Sequence, residues 1–140
     1  MSDSPKARAL LKEALRQLPF FKGVNAQILQ RFAEHAIWYH YEPGAMLFGE
    51  GERAPGLYVV ESGWIKVVAI SPEGREQILH FVGAGEVLAG MAAFMSQPIP
   101  ATAIALEQTE LWLLPRDVVH QALVDEPLLA VRVIEFMAAK

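Results

Sequence analysis

Apolar residues at the start of the chain recur at steps of three and four. Leu10, Leu11, Ala14, Leu15 and Leu18 fall on one stripe of a helix that runs from Pro5 to Leu18 and stops near Pro19. Asn25 is a good N-cap for a second helix, which carries Ile28, Leu29 and Phe32 and ends at about His35. After Ala36 the pattern changes. Aromatic and β-branched residues now come in short runs separated by Gly, Pro and acidic residues, as closely spaced strands and tight turns require. Strands are predicted near Ile37 to Tyr41, Ala45 to Phe48, Gly56 to Glu61, Trp64 to Ile70, Glu76 to Val82, Ala101 to Glu107 and Glu110 to Pro115. Seven strands at this spacing make a sandwich or a barrel, so the fold is mainly β with flanking helices. Ser71-Pro72-Glu73-Gly74-Arg75 reads as a hairpin turn, with Pro72 fixing φ where a type I turn needs it and Gly74 letting the chain exit.

Helical spacing returns at Arg116 with Val118, Val119, Ala122 and Leu123. Glu126-Pro127 then opens a last helix in which Leu129, Val133, Phe136 and Met137 share a face. That helix reaches Lys140 with no Gly, cap or Pro to end it, as expected of a helix that continues in a longer protein. No internal repeat or low-complexity segment interrupts the chain.

A length of 140 residues suits one domain around one core, and 53% hydrophobic with 20% charged residues is enough apolar surface to fold. The apolar runs are far shorter than the roughly 20 residues needed to span a bilayer. The opening residues lead into a charged amphipathic segment and not into a secretory core, so a soluble, cytoplasmic protein without a membrane partner is expected. The chain has no cysteine, which removes disulfides, thiolate nucleophiles, cysteine-held zinc and any iron–sulfur cluster. With a net charge of −4 and its basic residues spaced by acids, it lacks the footprint of a nucleic-acid-binding face. No nucleophile elbow, His-Glu-x-x-His, P-loop or dinucleotide fingerprint occurs, so a catalytic role is not expected.

Two longer stretches carry a family resemblance. They are Pro43-Gly44-Ala45-Met46-Leu47-Phe48-Gly49-Glu50-Gly51-Glu52 and Leu57-Tyr58-Val59-Val60-Glu61-Ser62-Gly63-Trp64-Ile65-Lys66-Val67. With Gly74, Gly83-Ala84-Gly85-Glu86, Ala101 to Ala105 and Leu111-Trp112, they resemble the sensor domain of the Crp/Fnr family of transcription regulators. The resemblance implies a double-stranded β-helix, the jelly-roll-like β-roll of cyclic-nucleotide-binding domains. Helices over about 5–18 and 25–35 would precede a roll over about 36–115, and helices over about 116–140 would begin the dimerisation helix. It further implies a small-molecule effector in the roll, a homodimer through the C-terminal helix of the full-length protein, and DNA contact only through a C-terminal domain absent from this chain.

Cyclic-nucleotide binders of the family use a Gly-Glu pair, then an Arg-Ser pair that clamps the phosphate. Gly85 and Glu86 match the first pair, but Ile99 and Pro100 stand where Arg and Ser would fall, and neither offers a charge-assisted donor. Between Met91 and Pro100 there is no Arg, Lys or His. The effector is therefore expected not to be a cyclic nucleotide, with Gly85, Glu86, Met91, Phe94, Met95 and Thr102 as candidate binding residues. Read without the family, Glu86 is a turn carboxylate held by backbone N–H groups, and the methionines fill a core. The run Met91 to Pro98 resembles the dissimilative nitrate respiration regulator branch and, more loosely, the carbon monoxide sensor, both haem proteins. Haem would need a His, Met or Tyr ligand here. Of His35, His40, His80 and His120, His80 is the candidate, because strand alternation sets it with Ile78 and Val82 on a face that could line the roll; it also reads as a hydrogen-bonded core or rim histidine. A stand-alone interaction module, paired through Leu129, Val133, Phe136 and Met137, is the rival reading.

Overall fold

The computed structural model describes residues 4–139, apart from the side chain of Met91. Ser4 caps the first helix, α1 (Pro5–Arg16), by accepting from the Ala7 N–H at 3.1 Å. The helix ends two residues before Leu18, which is already extended because Pro19 disfavours a helical predecessor; a 3-10 turn then covers Pro19–Phe21. Asn25 caps α2 (Ala26–His35) as its sequence predicts, accepting from the Gln27 N–H at 2.7 Å.

Eight strands follow: β1 (Ile37–Tyr41), β2 (Met46–Phe48), β3 (Gly56–Ser62), β4 (Trp64–Ile70), β5 (Glu76–Gly83), β6 (Val87–Leu88), β7 (Thr102–Ala105) and β8 (Thr109–Pro115). A short helix, α3 (Gly90–Met95), lies between β6 and β7, and α4 (Arg116–Asp125) and α5 (Pro127–Ala138) close the chain. The strands form two antiparallel four-stranded sheets, ordered β1-β8-β3-β6 and β2-β7-β4-β5. This is the β-roll flanked by helices that the resemblance implies. β6 has no counterpart in the sequence reading, since two residues are too short to show a period.

Alternation along β8 explains how the layers stack. Leu111 and Leu113 point between the sheets, into a core with Ile65, Val67, Ala103 and Phe48, while Trp112 and Leu114 point outward into a second core built with the helices. Arg8 of α1 ties these helices to the sheet. Its Nη1 donates to the Ala33 and Ala36 carbonyls at the end of α2, each at 2.8 Å, and its guanidinium lies 5.3 Å from the Trp112 ring centroid. The close approach of β3 to β8 requires Gly56, where a Cβ would stand 2.0 Å from the Leu114 carbonyl oxygen. The predicted hairpin joins β4 to β5, with the Gly74 N–H donating to the Ser71 carbonyl at 2.9 Å and Gly74 at a φ of 87°.

The stripe of Leu129 and Val133 on α5 packs into the helical core, against the 3-10 turn and α4, the two residues being 0% and 3% exposed. The apolar residues that α5 leaves outside are instead Val131 and Ile134.

Candidate functional site

The roll opens on one side into an apolar cleft of about 390 Å³. Phe48 and Val67 reach it from the inter-sheet core, and Leu79 and His80 from β5. Ile99 and Pro100, just before β7, supply a third part of the wall, so both positions that would carry the phosphate clamp do face the cleft. Phe136 and Met137, near the end of α5, supply the fourth. His80 is the one ionisable side chain among the described residues of this wall.

His80 is exposed, at the rim of the roll, and a β-bulge separates it from Ile78. His80 pairs with Val67 and Ile78 with Val68, leaving Leu79 as the extra residue between them. Adjacent partners on β4 point to opposite faces, so the bulge undoes the expected match of Ile78 with His80 and leaves Ile78 half exposed. His80 keeps the same face as Val82, whose partner Ile65 is fully buried in the roll.

Gly85 and Glu86 lie in an adjoining cleft of about 320 Å³, which shares His80, Val87 and Phe136 with the first. The turn there is self-contained. Gly85 takes a φ of 84°, and Glu86 Oε1 accepts from the Gly83 N–H at 2.7 Å. Glu86 thus makes the turn-capping bond that its residues alone suggest.

The other candidates lie away from the apolar cleft. Phe94 packs into the helical core with its ring centroid 5.4 Å from that of Phe20, and Met95 is 50% exposed. Thr102 is buried between Ala101 and Ala103, which face the roll interior, and its hydroxyl accepts from the Glu50 N–H at 3.1 Å. The side chain of Met91 lies outside the described residues. The family resemblance pointed at the 85–95 stretch. The cleft is instead completed by Leu79, the half-exposed extra residue of a bulge, and by Phe136 and Met137, which chain distance hides. Their shared stripe with Leu129 and Val133 was the available signal for α5.

The remaining histidines serve local structure. His35 Nδ1 lies 2.9 Å from the Arg31 carbonyl, and His40 Nδ1 lies 3.5 Å from Glu42 Oε2. His120 Nε2 lies 2.9 Å from the Ala93 carbonyl and joins α4 to α3. Helix α3 is held between two left-handed residues, Ala89 at a φ of 61° and Ser96 at 55°. Non-glycine residues occupy that region at a cost, and Ala89 is part of the cleft wall. Among the described residues no group of three or more His, Asp or Glu is placed to hold a metal ion by itself.

Comparison with known proteins defines the class. The family model for the cyclic nucleotide-binding domain matches residues 38–126, and the chain belongs to that family. Crp/Fnr-type regulators are among the relatives matched, which supports a ligand-sensing regulatory domain. The chain is 22% identical over 130 residues to a CRP-like cAMP-activated global transcriptional regulator of Mycobacterium tuberculosis, covering 93% of this chain and 58% of that protein. In fold it is similar to the sensor domain of the transcriptional regulator DNR from Pseudomonas aeruginosa, with a TM-score of 0.86 at 24% identity over 96% of this chain and 90% of that one. It is also similar to the N-terminal domain of a transcriptional regulator from Streptomyces coelicolor A3(2), with a TM-score of 0.75 at 28% identity over 90% and 88% of the two chains. No helix among the described residues is long and apolar enough to cross a membrane.

Proposed function

We propose that the cleft receives an apolar effector and not a cyclic nucleotide. The observation that carries this reading is the wall at Ile99 and Pro100. A cyclic phosphate keeps its charge at all physiological pH values, and placed against this wall it would meet no Arg, no Lys and no hydroxyl. Burying an anion without a charge-assisted donor is strongly unfavourable. Apolar contact with Phe48, Leu79 and Phe136 is what the cleft offers instead.

The donors present also favour a more particular reading, a haem-based gas sensor. The cleft combines apolar walls with one imidazole, His80, and one thioether, Met137, two of the ligand types open to haem in a chain without cysteine. Haem, when bound, supplies an iron at which a diatomic gas can coordinate. His80 would hold it from β5, and Phe136 and Met137 would register its presence on α5.

In the whole protein this domain, 1–140, would act in the cytoplasm as one sensing unit. Its last helix would run on toward a pairing helix and a DNA-binding part, and two copies would pair there. The chain spans 58% of the CRP-like relative, which leaves room for such a part.

Hemin titration followed by visible absorption tests the reading, alongside calorimetry with cyclic AMP. A saturable one-to-one Soret shift that disappears in His80→Ala assigns haem and its ligand. Absence of that shift, with apolar probes still raising the melting temperature, leaves the broader apolar reading. Saturable cyclic AMP binding in the micromolar range overturns both.

A further inference from the structure

A second groove, of about 260 Å³, shares no residue with the effector cleft. It lies between the loop around Gly51, the Ser96-Gln97-Pro98 segment and the start of α4, and two arginines, Arg53 and Arg116, line it together. Both also line an adjoining groove of about 280 Å³ that contains Asp117, yet neither forms an ion pair with it or with any other acid among the described residues. In a chain of net charge −4, the groove thus gathers two cations that make no ion pair among the described residues, with Asp117 next to Arg116.

The groove is held together from three sides. The Arg53 backbone bridges to Pro98, the Gly51 N–H donates to the Ile99 carbonyl at 2.8 Å, and the Ile99 N–H donates to the Glu52 carbonyl at 2.9 Å. Ser96 is fixed in its left-handed conformation, with its Oγ 3.4 Å from Arg116 Nη2 and 3.3 Å from His120 Nε2. The Arg116 guanidinium meets a neutral hydroxyl at long range, and its Nε is buried with no acceptor at all. A buried guanidinium N–H without a partner is an unmet demand for an oxygen. Helix α4 begins at Arg116, whose N–H donates to the Pro55 carbonyl at 2.9 Å, with Asp117 in its first turn.

From these observations we infer that the groove is an oxyanion site, with room for a phosphate group. Arg116 and Arg53 supply the charge and the planar forks that match phosphate oxygens, and Ser96 and Gln97 supply neutral donors. The bound group is either inorganic phosphate or the phosphate of a small monoester; the chemistry is the same. Since Ile99 and Pro100 follow directly on this segment, the anion would pin one wall of the effector cleft.

The test is a titration of the purified chain with inorganic phosphate, and separately with glycerol phosphate, at constant ionic strength against chloride. Amide chemical shifts report where each probe binds. Saturable shifts at Gly51, Ser96 and Gln97 are expected, with affinity reduced about tenfold or more in Arg53→Gln and in Arg116→Gln, as loss of a charged hydrogen-bonding partner implies. Arg53 is exposed, so Arg53→Gln keeps the fold intact even where Arg116→Gln disturbs it. Saturation by phosphate itself marks a free-anion site, and saturation by the monoester alone marks a phosphorylated metabolite. Shifts no larger than in chloride, or unchanged affinity in Arg53→Gln, overturn the inference.

Discussion

Tyr58 is 4% exposed in the inter-sheet core, its ring stacked 5.8 Å from that of Phe48. Burial, and then the nearby Tyr41, Tyr39 and Glu52, push its phenol above the ordinary value of 10.0. The folded chain therefore holds this proton to higher pH than the unfolded chain does. The stabilisation is fully present below about pH 10 and is lost as pH rises from there toward the folded value. Unfolding free energy should fall in that window by up to about 1.4 kcal/mol per pH unit on account of this one group. Tyr58→Phe should remove that part of the slope, and urea melts of both proteins at alkaline pH would show it; parallel curves would contradict the assignment. Single residues were legible in the sequence where their chemistry was decisive. Ile99 and Pro100 stand at the clamp positions only by the family resemblance, and the structure places both on the cleft wall. Phe94 and Thr102 could not be placed, because which core an aromatic ring enters, or whether a hydroxyl is already taken by Glu50, depends on neighbours far along the chain.

Phe20, in the 3-10 turn, joins three elements through edge-on ring contacts. Its centroid lies 4.8 Å from Phe21, 5.4 Å from Phe94 of α3 and 5.0 Å from Phe136 of α5. Phe94 and the end of the last helix thus meet through Phe20. Because Phe136 is also part of the cleft wall, α5 is where occupation of the cleft would be felt. Phe136→Ala should cost about 1 to 3 kcal/mol, less than a fully buried ring because Phe136 is only partly covered. It should also expose the amides at the end of α5 to hydrogen exchange while leaving α4 protected. Equal loss of protection in both helices would mean that the aromatic contact does not anchor α5 separately. Long elements with a clear period were legible, as the agreement of α2, β4 and β8 with their predicted ranges shows. The two-residue β6 and the bulge at Leu79 were not, since neither leaves a repeat to detect and the bulge reverses alternation midway along β5.

The two cores share one sheet, and this determines how the molecule holds together. In β1-β8-β3-β6, neighbouring residues face opposite ways, so Leu113 serves the inter-sheet core and Leu114 the helical core from adjacent positions. Neither core can lose its side of β8 without disturbing the other. Leu129, 0% exposed, is the deepest anchor of α5 in the helical core. Leu129→Ala should cost about 2 to 5 kcal/mol, and the loss should appear as one shifted transition rather than as early release of the last helix. Trp112, whose ring centroid lies 4.9 Å from that of Trp38, reports on the junction of helices and sheet by fluorescence, and far-ultraviolet circular dichroism reports on the whole chain. Coincident midpoints for the two signals in Leu129→Ala would mean that α5, the helical core and the roll behave as one cooperative body. In such a body, an effector held between the inter-sheet core and Phe136 stabilises the position of the last helix together with the fold. Separate midpoints would instead make α5 an independently mobile arm, and the cleft would then have to act on it through Phe136 and Met137 alone.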